Sequence, residues 1–293
     1  MTLDATIRTR YAQSMRFSIL TLDLALFPRQ DQGPELEPLA QFIAENNVSC
    51  VCLQGCAQHR LSPLLTESDR IREDNAVTIV ADQLSHLGLK YNYVWDWSRY
   101  GETYYEIGSA VLTQLPILGS AARFVSQSED RNDPGSRQAV AARLGVSPEV
   151  NIDVYSVDLS DGDETLSSQV GQLLLFVDES ADLFAPEPQP VTRRRGRPPR
   201  MLPSAKRPEP VRMVFLAGKL AHSADGTVGR SLRAAGFGEG SQAVRLATDD
   251  SGPWADAVYL RPGLRPTDAD RVFDGADGAV LGGHSGLLLA FEM

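Results

Sequence analysis

Short apolar runs typical of β-strands recur along almost the whole chain with few helices between them, and this pattern constrains the fold more than any other feature. The first run, residues 17–26, precedes a segment with Leu39, Phe42 and Ile43 on one helical face, and residues 48–54 then read as a short buried strand, giving a β-α-β start. Further strands are predicted at 90–98, 107–118, 138–146, 150–159, 211–218, 256–261 and 286–293, and helices at 75–88, 168–180 and 226–236.

Many strands with few interleaved helices favour two packed sheets with helices outside over an all-parallel doubly wound sheet. The chain has 293 residues, of which 42% are hydrophobic, so it can bury a substantial core. The sequence therefore predicts a single α/β domain of the α+β kind.

Charge and cysteine usage limit the classes of partner and the compartment. The formal net charge of -10 disfavours broad attraction to nucleic acid or to an anionic membrane. Cys50, Cys52 and Cys56 crowd onto one predicted strand, which is no disulfide framework and fits a reducing compartment. No apolar run reaches the roughly 18 residues of a membrane span, and the start lacks a signal-peptide pattern. We expect a cytoplasmic protein that does not enter a membrane.

Several short motifs carry a resemblance to a known family. In chain order they are Thr21-Leu22-Asp23, Leu53-Gln54-Gly55, Gly108 to Leu112 with Pro116-Ile117, Val157-Asp158-Leu159, Gly218-Lys219-Leu220-Ala221, Asp256 to Tyr259, and Gly282-Gly283-His284. Their order is similar to that of the endonuclease/exonuclease/phosphatase superfamily, the exonuclease III and deoxyribonuclease-like proteins. The resemblance implies a four-layer α/β sandwich, two mixed β-sheets packed face to face, over residues 16–293 after an N-terminal arm of residues 1–15.

Family members hydrolyse phosphodiesters or phosphomonoesters with a divalent cation, typically Mg²⁺, and a histidine with aspartate partners. By this resemblance Asp23 stands where the family has a metal-facing and phosphate-facing asparagine. Gly55 stands where the family has its principal metal-ligating glutamate. A glycine offers no side-chain oxygen, and Mg²⁺ held by one or two carboxylates loses much of its binding when one is removed. We therefore expect no cofactor, with Mg²⁺ required if the protein is active and Asp23 as the remaining metal ligand.

The resemblance also implies losses on the phosphate-binding side of the site. Asp158 occupies the position of a phosphate-contacting histidine, which predicts repulsion of an anionic substrate. Lys219 and Ala221 replace an aspartate that activates the nucleophile and an asparagine that holds the phosphate. Lys219 is expected to take the space of the missing cation and to neutralise Asp23 or Asp256.

Two catalytic positions of the family survive. Asp256 and His284 match the family's aspartate and histidine, but the aspartate that should pair with the histidine is Gly283. A histidine base needs a partner that fixes its tautomer and stabilises the charged ring, and residues that act as a unit fail together. The sequence therefore predicts a degenerate member, a pseudoenzyme that serves as a binding or scaffold module for a protein partner. The alternative is a metal-dependent phosphodiesterase or phosphatase that uses Asp23, Asp256 and His284.

Residues 185–212, here the basic segment, differ in composition from the rest of the chain. They are rich in proline and arginine and carry eight Lys or Arg against two Glu, a net charge of +6 that leaves -16 elsewhere. Such composition predicts a disordered insert. Within residues 193–200, Arg195-Gly196-Arg197-Pro198 resembles an AT-hook, which fits the narrow minor groove of A/T-rich DNA. A DNA tether and a solvated insert both remain open.

Two further groups of residues have a structural and a functional interpretation. The three cysteines are expected to pack as small apolar side chains instead of forming a metal or redox site. An aromatic group could stack on bases or line a pocket, although core and loop packing is the commoner explanation; it comprises Trp95, Trp97, Tyr100, Tyr104 and Tyr105.

Overall fold

The structure, a computed structural model, describes residues 16–25, 33–66, 70–102, 104–159, 163–184, 210–220, 226–242, 256–262, 264–275, 280–282 and 285–293. The strands are β1 (Arg16–Asp23), β2 (Cys50–His59), β3 (Asn92–Gly101), β4 (Tyr105–Thr113), β5 (Ile117–Phe124), β6 (Gln138–Ser147), β7 (Val150–Asp158), β8 (Val211–Lys219), β9 (Gly238–Glu239), β10 (Asp256–Arg261), β11 (Asp268–Val272) and β12 (Gly286–Glu292). The helices are α1 (Gly33–Glu45), α2 (Ala76–His86), α3 (Asp163–Leu183) and α4 (Thr227–Ala234).

The strands of the described ranges form two six-stranded sheets. The first has the order β11-β12-β1-β2-β4-β3, and the second has the order β5-β6-β7-β8-β10-β9. Both are mixed, because β1 pairs with β2 and β7 pairs with β8 in parallel while their other pairs are antiparallel. The two mixed sheets predicted from the sequence are confirmed.

Three apolar layers hold the sheets and helices together. Between the sheets, the ring of Phe215 lies 5.3 Å from each of the rings of Phe17 and Phe291. The outer face of the first sheet packs under α1 and α2, with Leu39 and Val80 among the buried contacts, and α3 and α4 cover the second sheet in the same way. Burial of apolar surface on both faces of each sheet explains the near-continuous apolar character of the central strands. The result is the predicted four-layer sandwich.

The sequence predicted α2 closely because its start and stop signals are local. Asn75 caps the helix by accepting a hydrogen bond from the backbone N–H of Val77 at 3.0 Å, and Gly88 follows the last turn with a positive φ of 81°. One strand prediction was wrong. Residues 107–118 do not form a single strand, because β4 ends at Thr113 and β5 begins at Ile117 in the other sheet. The turn around Pro116 marks this change of sheet.

The basic segment ends earlier than the sequence analysis placed it. Val211 and Arg212 are the first residues of β8 and pair with β7 in the second sheet. The rest of the predicted insert, residues 185–209 with its Arg195 to Pro198 core, lies outside the described residues, as does the N-terminal arm of residues 1–15. None of the described helices is long and apolar enough to cross a membrane.

Candidate functional site

The carboxyl-terminal ends of four central strands meet at one end of the sandwich. In the first sheet the parallel register places Asp23 of β1 beside Gln54 of β2. In the second sheet Lys219 of β8 lies between Asp158 of β7 and Asp256 of β10. Several motifs that are distant in sequence are therefore neighbours in the fold. This end of the two sheets is here called the cleft.

A buried polar bridge joins the two sheets below the cleft. Gln54 is fully buried, and its Nε2 donates to Ser156 Oγ at 2.9 Å across the sandwich. Thr21 Oγ1 donates to Gln54 Oε1 at 3.3 Å, and Ser156 Oγ donates to the Leu53 carbonyl at 3.0 Å. A satisfied buried network of this kind fixes the relative position of the strands that carry it. The bridge therefore sets the spacing of the two walls of the cleft.

Gly55 lies in an irregular step of β2, where the pairing with β4 shifts between Leu53 and Cys56. Its φ is +63°, a left-handed conformation that side-chain-bearing residues adopt at a cost. A Cβ atom built at this position would lie 2.6 Å from Asp23 Oδ1 and 2.8 Å from the backbone nitrogen of Ala25. The end of β1 thus fills the space into which a side chain at position 55 would project.

Asp23 has a local role at the end of its strand. Its Oδ1 accepts a hydrogen bond from the Ala25 backbone N–H at 3.0 Å. The pKa of the buried Cys56 thiol is raised, first by burial and then by the charge of Asp23. The backbone of Gly282 also approaches this point, because a Cβ there would lie 2.1 Å from the Asp23 carbonyl oxygen. One oxygen of the Asp23 carboxylate thus binds the backbone two residues further along the chain.

Asp158 does not face the cleft as an unpaired charge. Arg99 Nη1 on β3 lies 3.2 Å from Asp158 Oδ2, and Arg137 Nε lies 3.8 Å from the same oxygen. All three side chains are largely buried, so these ion pairs are less screened by solvent than surface pairs. The prediction that Asp158 repels an anion assumed an unpaired carboxylate. That assumption is wrong, because two guanidinium groups compensate its charge.

The remaining predicted site residues differ in how far the structure describes them. Asp256 opens β10, is 2% exposed and stands opposite Lys219 in the antiparallel register. Ala221, Gly283 and His284 lie outside the described residues. The expectation that Lys219 neutralises Asp23 or Asp256 stays a prediction, although the register with Asp256 agrees with it.

The donor atoms of the described cleft residues do not match a divalent-cation site. Within the described ranges no three His, Cys, Asp or Glu side chains come together as a group that could hold a metal ion. Gly55 contributes no oxygen, and Asp158 is shared with two arginines. Mg²⁺ prefers several oxygen ligands around a near-octahedral centre. The described residues therefore do not fit the family's metal.

Three contributors to the cleft were missed at the sequence level. Gln54 could have been found, since it directly precedes the position of the lost glutamate and is a polar residue at the end of an apolar strand. Arg99 and Arg137 had no such signal. Arg99 follows a bulge in β3 at residues 97–99, and Arg137 ends the connection between β5 and β6, so only the assembled sheets bring both to Asp158.

Structural comparison decides the fold. No protein-family model and no curated protein matches the sequence. An endonuclease/exonuclease/phosphatase family protein from Leptotrichia buccalis superposes with a TM-score of 0.73 and 16% identity, covering 94% of this chain and 100% of that one. The chain has the endonuclease/exonuclease/phosphatase fold.

Other proteins of the endonuclease/exonuclease/phosphatase fold show the same likeness at low identity. One from Bacteroides vulgatus gives a TM-score of 0.64 at 11% identity and covers 95% of this chain and 99% of that one. The mannosyl-6-phosphatase of Bacteroides thetaiotaomicron gives a TM-score of 0.58 at 10% identity, covering 93% of this chain and 98% of its own. At such identities the likeness concerns the fold.

The three cysteines and two of the aromatic residues pack in the apolar layers of the fold. All three cysteines are free and buried, Cys50 and Cys52 between the sheets and Cys56 in the layer under α1 and α2. Trp95 and Trp97 belong to that same apolar layer. Tyr104 is 53% exposed at the tip of the β3–β4 hairpin. The cysteines thus pack as small apolar residues, and the two tryptophans serve the core.

Proposed function

We propose that this protein is a binding or scaffold module of the endonuclease/exonuclease/phosphatase fold that does not carry out metal-dependent phosphoester hydrolysis. The observation that carries the proposal is the packing at Gly55. Its left-handed backbone and the contact of its Cβ position with Asp23 leave no room for a ligating side chain. By the resemblance this is the position of the family's main metal ligand, so the local backbone of β2 supports the proposal.

The charge balance of the cleft supports the same proposal. Three carboxylates and three side-chain cations stand at this end of the described strands: Asp23, Asp158, Asp256, Arg99, Arg137 and Lys219. A cleft lined by one sign of charge concentrates counter-ions, whereas a balanced one does not. In this proposal the side-chain cations of the protein supply the positive charge that a bound metal ion supplies in a hydrolase of this fold. The ligand proposed for the module is another protein.

A hydrolase with rebuilt metal ligands is the competing candidate. It would use Asp23, Asp256 and His284, with Asp158 as a displaced ligand. The pairing of Asp158 with Arg99 and Arg137 counts against that role, because two guanidinium groups beside the carboxylate repel a cation that would bind it. Asp23 and Asp256 alone give few oxygen ligands.

Hydrolysis assays separate these two candidates. Purified protein is tested on generic phosphodiester and phosphomonoester substrates with Mg²⁺ or Mn²⁺, beside the double variant Asp256→Ala/His284→Ala prepared in the same way. The proposal expects the same background rate from both proteins. A rate that the wild type shows and the double variant loses would establish the rebuilt hydrolase.

The composition of the basic segment favours a second, separate activity. Its positive charge is concentrated in a chain that is acidic elsewhere, and Arg195-Gly196-Arg197-Pro198 has the character of a minor-groove binder. We propose binding of A/T-rich duplex DNA through residues 193–200 as an activity independent of the cleft. Phosphate contacts by Lys and Arg release counter-ions, so such binding weakens steeply as salt rises.

A further inference from the structure

A buried ion triad lies in the second sheet, away from the cleft. Asp153 of β7 is fully buried, and Arg143 of β6 binds it through one edge of its guanidinium, with Nε donating to Oδ1 at 2.6 Å and Nη2 donating to Oδ2 at 2.8 Å. Arg212 of β8 donates its Nε to the same Oδ2. Two charge-assisted bonds in parallel and a third from another strand make this a strong, directional contact.

The same two arginines also hold the end of α3. Arg143 Nη1 donates to the Phe184 carbonyl at 3.0 Å. Arg212 Nη2 donates to the Val177 carbonyl at 2.7 Å and to Ser180 Oγ at 3.1 Å. A cation near the carboxyl-terminal end of a helix is favourable, and the Phe184 carbonyl just after α3 has no partner within the helix. One carboxylate therefore organises three strands and the carboxyl-terminal part of α3.

The triad contacts residues on both sides of residues 185–209. Phe184 directly precedes them, and Arg212 is the second residue of β8, which follows them. Arg143 binds the Phe184 carbonyl, and Asp153 binds Arg212. The two flanks are thus joined through side chains as well as through the backbone.

The two chain halves also interleave in both sheets. Residues before 185 supply β1 to β7, and residues after 209 supply β8 to β12. The halves meet at the β1–β12 pair in the first sheet and at the β7–β8 pair in the second. We propose that the Arg143–Asp153–Arg212 triad is a latch that keeps both halves in one domain whether or not the chain between them is continuous.

The latch is separate from the cleft along the same strands. Asp153 and Asp158 are both on β7, and Arg212 and Lys219 are both on β8. Seven residues of β8 separate Arg212 from Lys219. At about 3.3 Å per residue this is roughly 23 Å. A change in the latch therefore acts on the joining of the halves without touching the cleft residues.

A cut chain tests the latch. A recognition site for a specific protease replaces part of residues 190–204 in the full-length protein, and the cleaved product is diluted from micromolar to nanomolar concentration and followed by gel filtration. The wild-type latch is expected to keep the halves in one particle. Arg212→Met leaves a buried carboxylate short of a partner, so it is expected to weaken the association of the halves by at least about 100-fold.

Asp178→Asn is the matched control, because Asp178 also pairs with an arginine from a strand, Arg261, but is 72% exposed on α3. It is expected to change the association less than about 5-fold. Arg212→Lys keeps the charge but cannot reach all three partners, and it serves if Arg212→Met does not fold. Its halves are expected to associate more weakly than those of the wild type and more strongly than those of Arg212→Met. Wild-type halves that separate on cleavage, or an Arg212 variant no weaker than Asp178→Asn, would overturn the latch.

Discussion

Asp23 Oδ1 lies 2.6 Å from the point that a Cβ atom would occupy at Gly55. The backbone nitrogen of Ala25 lies 2.8 Å from the same point, so rotation of the Asp23 side chain alone would not make room. The end of β1 therefore fills the space that a side chain at position 55 would need. By the resemblance this is the position of the family's metal-ligating glutamate, so a glutamate side chain placed there would require the end of β1 to move.

The first prediction concerns restoration of that side chain. Gly55→Glu is expected to destabilise the fold by about 3 kcal/mol or more, since the left-handed backbone and the clash both add cost. It is not expected to create Mg²⁺ binding. Urea unfolding with and without Mg²⁺ measures both effects.

Gly88 offers the control for backbone conformation. It has a φ of +81° and a Cβ there would meet nothing within 4 Å. Gly88→Ala is expected to cost about 1 kcal/mol, and Gly55→Ala clearly more. An equal loss of unfolding free energy in the two alanine variants would show that the contact with Asp23 does not destabilise Gly55→Ala.

The second prediction concerns the charge balance at Asp158. Asp158→Asn removes the carboxylate that Arg99 and Arg137 share, and is expected to cost about 2–4 kcal/mol in the free energy of unfolding. Asp268→Asn, which removes a 61%-exposed partner of Arg16, is expected to cost less than about 1 kcal/mol. If Asp158 is instead a metal ligand, Mg²⁺ would raise the melting temperature of the wild type and not of Asp158→Asn.

Much of this architecture was predictable from the sequence, because strand pattern and helix signals are local. The run of α2 from its Asn75 cap and the positions of Asp158 and Asp256 at strand ends follow directly from apolar periodicity. What the sequence could not give is the set of contacts between distant segments. No residue near Asp158 in the sequence indicates its contact with Arg99, which is 59 residues away.

Arg212 shows the same limit in the opposite direction. Composition placed it at the end of the Pro/Arg-rich insert, although the apolar run of residues 211–218 also placed it at the start of a strand. In the fold it is a strand residue bound to a buried aspartate. Composition averages over a window and cannot detect one residue whose partner is 59 positions away.

The third prediction concerns DNA. The full chain is expected to bind A/T-rich duplex more tightly than G/C-rich duplex, with affinity that falls steeply between about 50 and 200 mM salt. A chain in which a short Gly/Ser linker replaces residues 185–209 is expected to bind neither. Fluorescence anisotropy with labelled duplexes measures this.

The order of residues in the Arg-Gly-Arg core provides a charge-matched control. Exchange of Gly196 and Arg197 keeps the net charge but removes the glycine between two arginines. It is expected to abolish the preference for A/T-rich duplex while leaving salt-sensitive binding. A preference that survives this exchange would exclude the minor-groove interpretation.

The fourth prediction concerns stability at alkaline pH. Burial raises the pKa of the Cys52 and Cys56 thiols, with smaller contributions from Cys50 and Asp23 respectively. The unfolded chain releases these protons above about pH 8.5, whereas the folded chain retains them. Stability is therefore fully present below that pH and is lost as pH rises toward the folded pKa values, by up to about 1.4 kcal/mol per pH unit for each thiol.

Urea unfolding between pH 7.5 and pH 10 measures this slope. The variant Cys52→Ala/Cys56→Ala is expected to be less stable at neutral pH, because it leaves small cavities, but to lose less stability as pH rises. Parallel pH profiles for the two proteins would contradict the assignment of the slope to these thiols.

We propose that the cleft does not hold a catalytic divalent cation. Titration of the purified protein with Mn²⁺, followed by electron paramagnetic resonance of the free ion, measures this, with Asp256→Ala as the reference. We expect no saturable uptake of Mn²⁺ beyond that of the variant. One Mn²⁺ bound per chain at micromolar concentration and lost in Asp256→Ala would contradict it.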